Sequence, residues 1–279
     1  MATCKDEVVH QHTVPVCYLA NFGMHGNQGR KSSLYYFNTL DGKTGLSGVE
    51  AFTVEKNFYD VEELGDNKQA IEKFFAIIEG EYATLLRTIL DLVIVDPKDR
   101  VNPTVKLSSD QKDVFSAQIA MQIIRTRAFR DYYKSIYTQI KKGFPFANIP
   151  QYGESDYKRL HTMEIFSFDM SNFYANLFSD RNWIVLVNQT RIPFFTSDNP
   201  AIMIDHRKQK NHPIAPASEK ATFYFPISPN VAIELFDKNI LKFDMIYFDI
   251  YAESMVRSYN RLILNDSTRF VFSNKPFSY

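Results

Sequence analysis

The sequence predicts an α+β protein, a helical layer packed on a mostly antiparallel β-sheet, and three observations carry that expectation. Long segments in the middle of the chain repeat apolar residues every three or four positions, the spacing of an amphipathic helix. Short apolar and aromatic runs bounded by Gly, Pro, Asn and Asp fill both ends, the composition of strands and turns. Hydrophobic residues make up 45% of the 279 positions, with 24 Phe and 16 Tyr, enough to bury a sizeable core. We expect one compact domain over 1–279, with residues 66–178 as a helical part and 1–65 plus 179–279 as a β-rich part.

The elements follow in order. His10-Gln11-His12-Thr13-Val14-Pro15 reads as strand-like, and the apolar run from Val16 to Phe22 as a short buried turn of helix. Gly23 to Lys31 is glycine-rich but lacks the spacing and following helix of a phosphate cradle, so it reads as a loop. Leu34 to Asn38 is predicted to pair with Val49 to Val54 across a turn at 41–48. From Ile71 to Ile89 the apolar spacing predicts a helix, with Glu79 on its polar side and Glu81 at the edge of its apolar stripe, both solvated or ion-paired. A second helix, capped by Ser109 or Asp110, is expected to run to about Lys142 with little polar face, hence buried. A third runs from Asp156 to about Leu177. Strands are predicted at Trp183–Val187, Ala201–Ile204, Thr222–Ile227, Val231–Phe236 and Arg269–Ser273, with a helix from Asp244 to about Asn260.

Composition excludes some classes of function. Lys plus Arg equals Asp plus Glu at 32 each, so the bulk electrostatic signature of a nucleic-acid or membrane binder is missing and any basic site must be local. The segment 205–220, with Arg207, Lys208, Lys210 and Lys220, is such a local cluster, either simply solvated or, in a binding protein, a surface for a protein partner. No window approaches the ~18 uninterrupted apolar residues of a membrane span. Lys5, Asp6 and Glu7 stand where a signal peptide needs an apolar core, and Cys4 and Cys17 cannot staple a fold of this size. A cytoplasmic protein with free thiols is expected.

Polar residues in places that are costly to bury supply the candidate site. His10 and His12 share one face of a strand. Gln118, Gln122 and Arg125 stack along one helical stripe, and a buried guanidinium demands a carboxylate nearby. Phe194-Phe195-Thr196-Ser197-Asp198-Asn199-Pro200 interrupts two strand-like runs, either as a local Asx turn or as a strand-end loop presenting a carboxylate.

Together with Gln-Ile-Ile-Arg-Thr-Arg at 122–127, Phe-Pro-Ile-Ser-Pro at 225–229, Asn-Arg at 260–261 and Arg-Phe-Val-Phe-Ser at 269–273, the His-Gln-His-x-Val-Pro-x-x-Tyr-Leu-x-Asn-Phe stretch and the 194–200 turn resemble a family catalogued as domain of unknown function 4238, found mainly in bacteria and phages. The resemblance implies a single compact domain and no established reaction, and its polar signature falls on His10, His12, Gln122, Arg125, Ser197, Asp198 and Asn199. Val16 and Cys17 depart from the basic or polar residue usual after Val-Pro. The leading expectation is a phosphodiester hydrolase, nuclease-like, of a bacterial or phage conflict system. In it His12 is acid/base, Arg125 meets phosphoryl charge, Asp198 orients His12 or binds Mg or Mn with a histidine, and His10, Gln122, Ser197 and Asn199 position a short RNA or nucleotide. The alternative is a non-catalytic binding or sensor protein that engages a protein partner or a nucleotide ligand.

Overall fold

The computed structural model describes residues 8–277 apart from 147, 149 and 207–214, so Cys4, Lys5 to Glu7, and Arg207, Lys208 and Lys210 of the basic cluster lie outside the described residues. The chain enters through β1 (His10–His12), turns at Pro15 into the short α1 (Val16–Leu19), and continues through β2 (Ser33–Asn38), β3 (Thr44–Gly48) and β4 (Val54–Lys56). β4 pairs back onto β1 with His12 opposite Val54. The hairpin partner of β2 is β3, inside the stretch whose composition reads as a turn, while 49–51 is a 3-10 turn. Packing explains the correction: a Cβ at Gly45 would lie 2.8 Å from the Tyr36 ring, so only glycine lets the cross-strand tyrosine cover that position.

The helical part contains α2 (Ala70–Leu92), α3 (Ser109–Ile124), α4 (Arg127–Gly143), α5 (Glu154–Ser167) and α6 (Asp169–Asp180). Two expected helices are therefore broken. The one predicted to reach Lys142 stops at Arg125, because Thr126 turns to ψ 160° and caps a new helix, its Oγ1 accepting from Phe129 N at 3.2 Å. The one predicted from Asp156 to Leu177 breaks at Phe168, which adopts φ 60°, a left-handed conformation unusual for a bulky side chain. Its ring packs edge-on against Phe74 at 5.5 Å, an apolar contact that offsets the strain.

The remaining elements are β5 (Asn182–Asn188), β6 (Thr196–Ser197), β7 (Ile202–Asp205), β8 (Ala221–Pro226), β9 (Val231–Phe236), β10 (Ile246–Ile250), α7 (Glu253–Asp266) and β11 (Phe270–Ser273). The expected helix from Asp244 begins only at Glu253. Ile246-Tyr247-Phe248, β-branched and aromatic, joins β5 as a parallel edge strand instead. The architecture is α+β as expected, but the single sheet resolves into a five-stranded sheet of order β10-β5-β9-β8-β7, a four-stranded sheet of order β3-β2-β11-β6 and the β1-β4 ribbon. In the four-stranded sheet β11 lies between β2 and β6, which joins the two ends of the chain.

Strand alternation divides the five-stranded sheet into two buried faces. Trp183, Val185, Phe223, Phe225, Ile233 and Leu235 face a core shared with Phe115 of α3 and Phe178 of α6. Leu186, Tyr224 and Ala232 face α7 through Val256, Tyr259 and Ile263. The larger core extends in sequence from Val14 to Phe272, so the helical and β-rich parts share it. Tyr18 ties three distant segments together, its hydroxyl donating to Pro226 O at 2.6 Å and lying 2.7 Å from Thr196 Oγ1. Among the described residues no helix is long and apolar enough to cross a membrane.

Candidate functional site

The sequence-predicted residues fall into two groups. In the first, Arg125 occupies the break between α3 and α4, is 3% exposed, and donates through Nη2 to Glu79 Oε1 and to His12 O, each at 2.8 Å. Glu79 is the carboxylate that a buried guanidinium requires. The guanidinium also lies 4.1 Å from the Phe75 ring centre, and Tyr59 OH donates to Arg125 O at 2.7 Å. His10 and His12 share the outward face of β1, as alternation demands, with His10 exposed and His12 half-buried. Burial lowers the His12 pKa, and Arg125 lowers it further against the opposing field of Glu79, so its imidazole is neutral near pH 7. The inward residue is Gln11, whose amide holds Asp60 Oδ1 and Val8 O while accepting from Tyr59 N. Gln122 is buried against Arg125 and Tyr82 around a gap of about 10 Å³, room for a single water. Among the described residues the Gln122 amide, Arg125 Nε, Tyr82 OH and His12 Nδ1 have no hydrogen-bond partner. The Cys17 thiol, held up at about 12 by burial, is unreactive and donates weakly to Glu79 O.

The second group is the 194–200 turn. Asp198 does not form a local Asx turn. Oδ1 accepts from Thr268 N at 2.9 Å, and Oδ2 accepts from Thr268 Oγ1, Arg269 N and Phe270 N at 2.6, 2.7 and 3.0 Å. Burial raises its pKa and these four donors oppose the rise. Both oxygens are therefore engaged, which leaves little capacity for a metal ion. Among the described residues no group of three or more His, Cys, Asp or Glu is arranged to hold one. Ser197 bonds within the turn, its Oγ donating to Asn199 O at 2.8 Å and accepting from Asn199 N at 3.1 Å. Asn199 Nδ2 reaches outward to Asp266 Oδ2 at 2.7 Å. Asn260 completes the motif's anchoring, accepting from Phe195 N and donating to Pro193 O.

His161, which the sequence reading passes over, is fully buried beside the helix break. Nε2 donates to Ile124 O at 2.6 Å and Nδ1 accepts from Arg130 at 3.2 Å, a neutral tautomer with both ring nitrogens satisfied. Burial, followed by the Arg130 charge, lowers its pKa to about 3. The unfolded chain therefore binds a proton at His161 that the folded chain refuses, so its contribution to stability falls as pH drops from 6.5 towards 3. In His161→Gln the side-chain oxygen and amide reproduce both bonds without titrating. The expected result in urea unfolding is that the stability difference, wild type minus variant, declines between pH 6.5 and 4.

Two cavities meet beside the corner that Asp198 clamps. One, of about 390 Å³, is walled by Phe129 and Tyr132 of α4, Tyr174, Phe223, Asn199 and Asp266. Pro216 closes one side, held by Arg181 Nη2 at 3.0 Å. The other, of about 580 Å³, is polar and lined by Thr13, Thr53, Glu55, Arg127, Asp198 and Arg269. Asp131 and Thr268 line both, so the two form one groove. Arg127 forks onto Glu55 across its floor. Arg269 is exposed over the Phe270 ring, and among the described residues no carboxylate lies within ion-pair distance of it. Asp198 and Asn199 line this groove; His12, Arg125 and Gln122 do not. The sequence reading gives Arg269 only as the start of a strand and of a motif and passes over Asp131, Thr268 and Asp266, because single polar residues on a helix or at a strand end carry no spacing signal.

Comparison with known proteins adds a family and no reaction. No curated protein matches the chain, and no solved structure does. Residues 10–277 match the family described as protein of unknown function (DUF4238), which covers nearly the whole chain. The chain thus belongs to the DUF4238 family.

Proposed function

We propose that the groove binds a nucleotide, free or as the terminal residue of a short RNA, and that the chain acts as a nucleotide-binding module. One observation carries this reading: an aromatic cavity of about 390 Å³ shares its wall with a polar one that holds Arg127 and the exposed Arg269. In this reading a planar base lies against Phe129, Tyr132, Tyr174 and Phe223, and a phosphate meets the guanidinium of Arg269. The N-terminus of α4, at Arg127 and Ala128, adds partial positive charge to the shared wall. Zero net charge agrees with a small ligand better than with a long duplex. The test is thermal denaturation with millimolar nucleoside monophosphates. The expected result is a raised Tm for wild type and about tenfold weaker binding for Arg269→Ala, the loss of one charge-assisted contact. A Tm that no nucleotide moves, or an unchanged Arg269→Ala, would contradict the reading.

A second reading, phosphodiester hydrolysis in the cytoplasm as part of a bacterial or phage conflict system, draws on the neutral His12 imidazole and its unpartnered Nδ1 beside Arg125. There Mg or Mn would have to be recruited with the substrate. RNA and short oligonucleotides left intact by folded wild type rule it out, and hydrolysis that persists in folded His12→Ala protein removes His12 from the reaction.

A further inference from the structure

We infer that the base taken by this groove is guanine, read by Asp266, with the ribose on Asp131; the inference rests on the nucleotide reading above. The argument starts from position. Asp131 and Thr268 line both cavities, so they stand where the sugar of a bound nucleotide must pass between the aromatic slot and Arg269. Asp266 and Asn199 line the aromatic slot alone, so they stand at the base. Asn199 Nδ2 donates to Asp266 Oδ2 at 2.7 Å and to Asp266 O at 3.2 Å, which fixes the carboxylate at the wall of the slot.

Chemistry then selects the base. A carboxylate only accepts hydrogen bonds. Guanine presents N1–H and the N2 amino group side by side, two parallel donors that match Asp266 Oδ1, which has no partner among the described residues, and the second lone pair of Oδ2 beside its bond from Asn199. Adenine and cytosine place an amino donor next to a ring nitrogen whose lone pair would face the second oxygen. Uracil flanks its single N–H with two carbonyl oxygens. In a slot walled by Phe129, Tyr174 and Phe223 such a mismatch leaves an unpaired acceptor against a carboxylate, which costs more than the lost bond. Asp131, one oxygen 3.2 Å from Lys134 Nζ, has its other oxygen for the ribose hydroxyls.

The test is calorimetric titration of the full chain with GMP, AMP, CMP, UMP and ribose 5-phosphate. The expected result is GMP binding at least about tenfold tighter than any other nucleotide, a difference of about 1.4 kcal/mol. Asp266→Asn offers one acceptor and one donor, the complement of adenine's edge, so the expected result is loss of the GMP preference with a gain for AMP. Asp266 is at the surface, so the variant keeps its fold, with circular dichroism as the check. Equal binding of all four nucleotides, or a GMP preference that survives in Asp266→Asn, overturns the guanine assignment and leaves the nucleotide reading standing. If nothing binds, ribose 5-phosphate included, both fail.

Discussion

Replacing Asp198 by alanine is expected to lower the stability of the fold by about 3–5 kcal/mol, the largest effect of any single truncation in the groove. The carboxylate accepts four hydrogen bonds, three of them from successive main-chain N–H groups at 268–270. Alanine leaves those donors without a partner where β11 enters the four-stranded sheet, and a buried unsatisfied donor costs about 1–3 kcal/mol. The effect should appear in urea unfolding as a lower midpoint with an unchanged slope. A folded remnant should also bind nucleotide poorly, because the clamp holds the backbone that carries Thr268 and Arg269. A midpoint within experimental error of wild type would show that the corner is held by the sheet alone.

The second large effect is expected at Arg125. Arg125 is buried and Glu79 half-buried, so Arg125→Ala should cost about 2–4 kcal/mol by leaving His12 O and the inner face of Glu79 without their donor. The companion expectation separates structure from chemistry: Arg125→Met with Glu79→Leu removes both charges and should recover most of the loss, since an apolar pair of similar volume replaces a costly ionic one. Denaturant unfolding of the two single variants and the double closes the cycle. A double variant as unstable as Arg125→Ala would mean that the guanidinium's bonds to backbone, not the ion pair, hold the helix break.

Periodicity exposed what depends on periodicity. The helix beginning near Ile71 and the strands of the five-stranded sheet, apart from β10, follow from spacing, since each buries regular positions. The two helix breaks were illegible for different reasons. Thr126 is an ordinary N-cap residue, but it sits inside an apolar run that looks continuous. Phe168 takes a left-handed conformation that no rule assigns to phenylalanine. β10 reads as part of a helix in sequence because five residues are too few to separate strand from helix by pattern.

Residue chemistry does not give geometry. Costly burial points to His10, His12, Gln118, Gln122, Arg125, Ser197, Asp198 and Asn199, and of these Gln122, Arg125, Ser197 and Asp198 are buried while His10 is exposed. Sequence cannot show that Arg125 turns to α2 while Asp198 turns to β11, so one expected site became a polar cluster and a separate clamp. The groove was missed because its lining comes from α4, α6, β8 and the corner before β11, segments that meet only through the tertiary fold.

Hydrogen exchange by mass spectrometry, with and without saturating GMP, tests the central claim most directly, since it locates a bound ligand without assuming a reaction. The expected result is protection confined to peptides covering the groove, 126–132, 199–203 and 266–270, with 174 and 223 behind the base. Protection instead at 72–82 and 118–125, around Glu79 and Gln122, or no protection at any peptide, would contradict it.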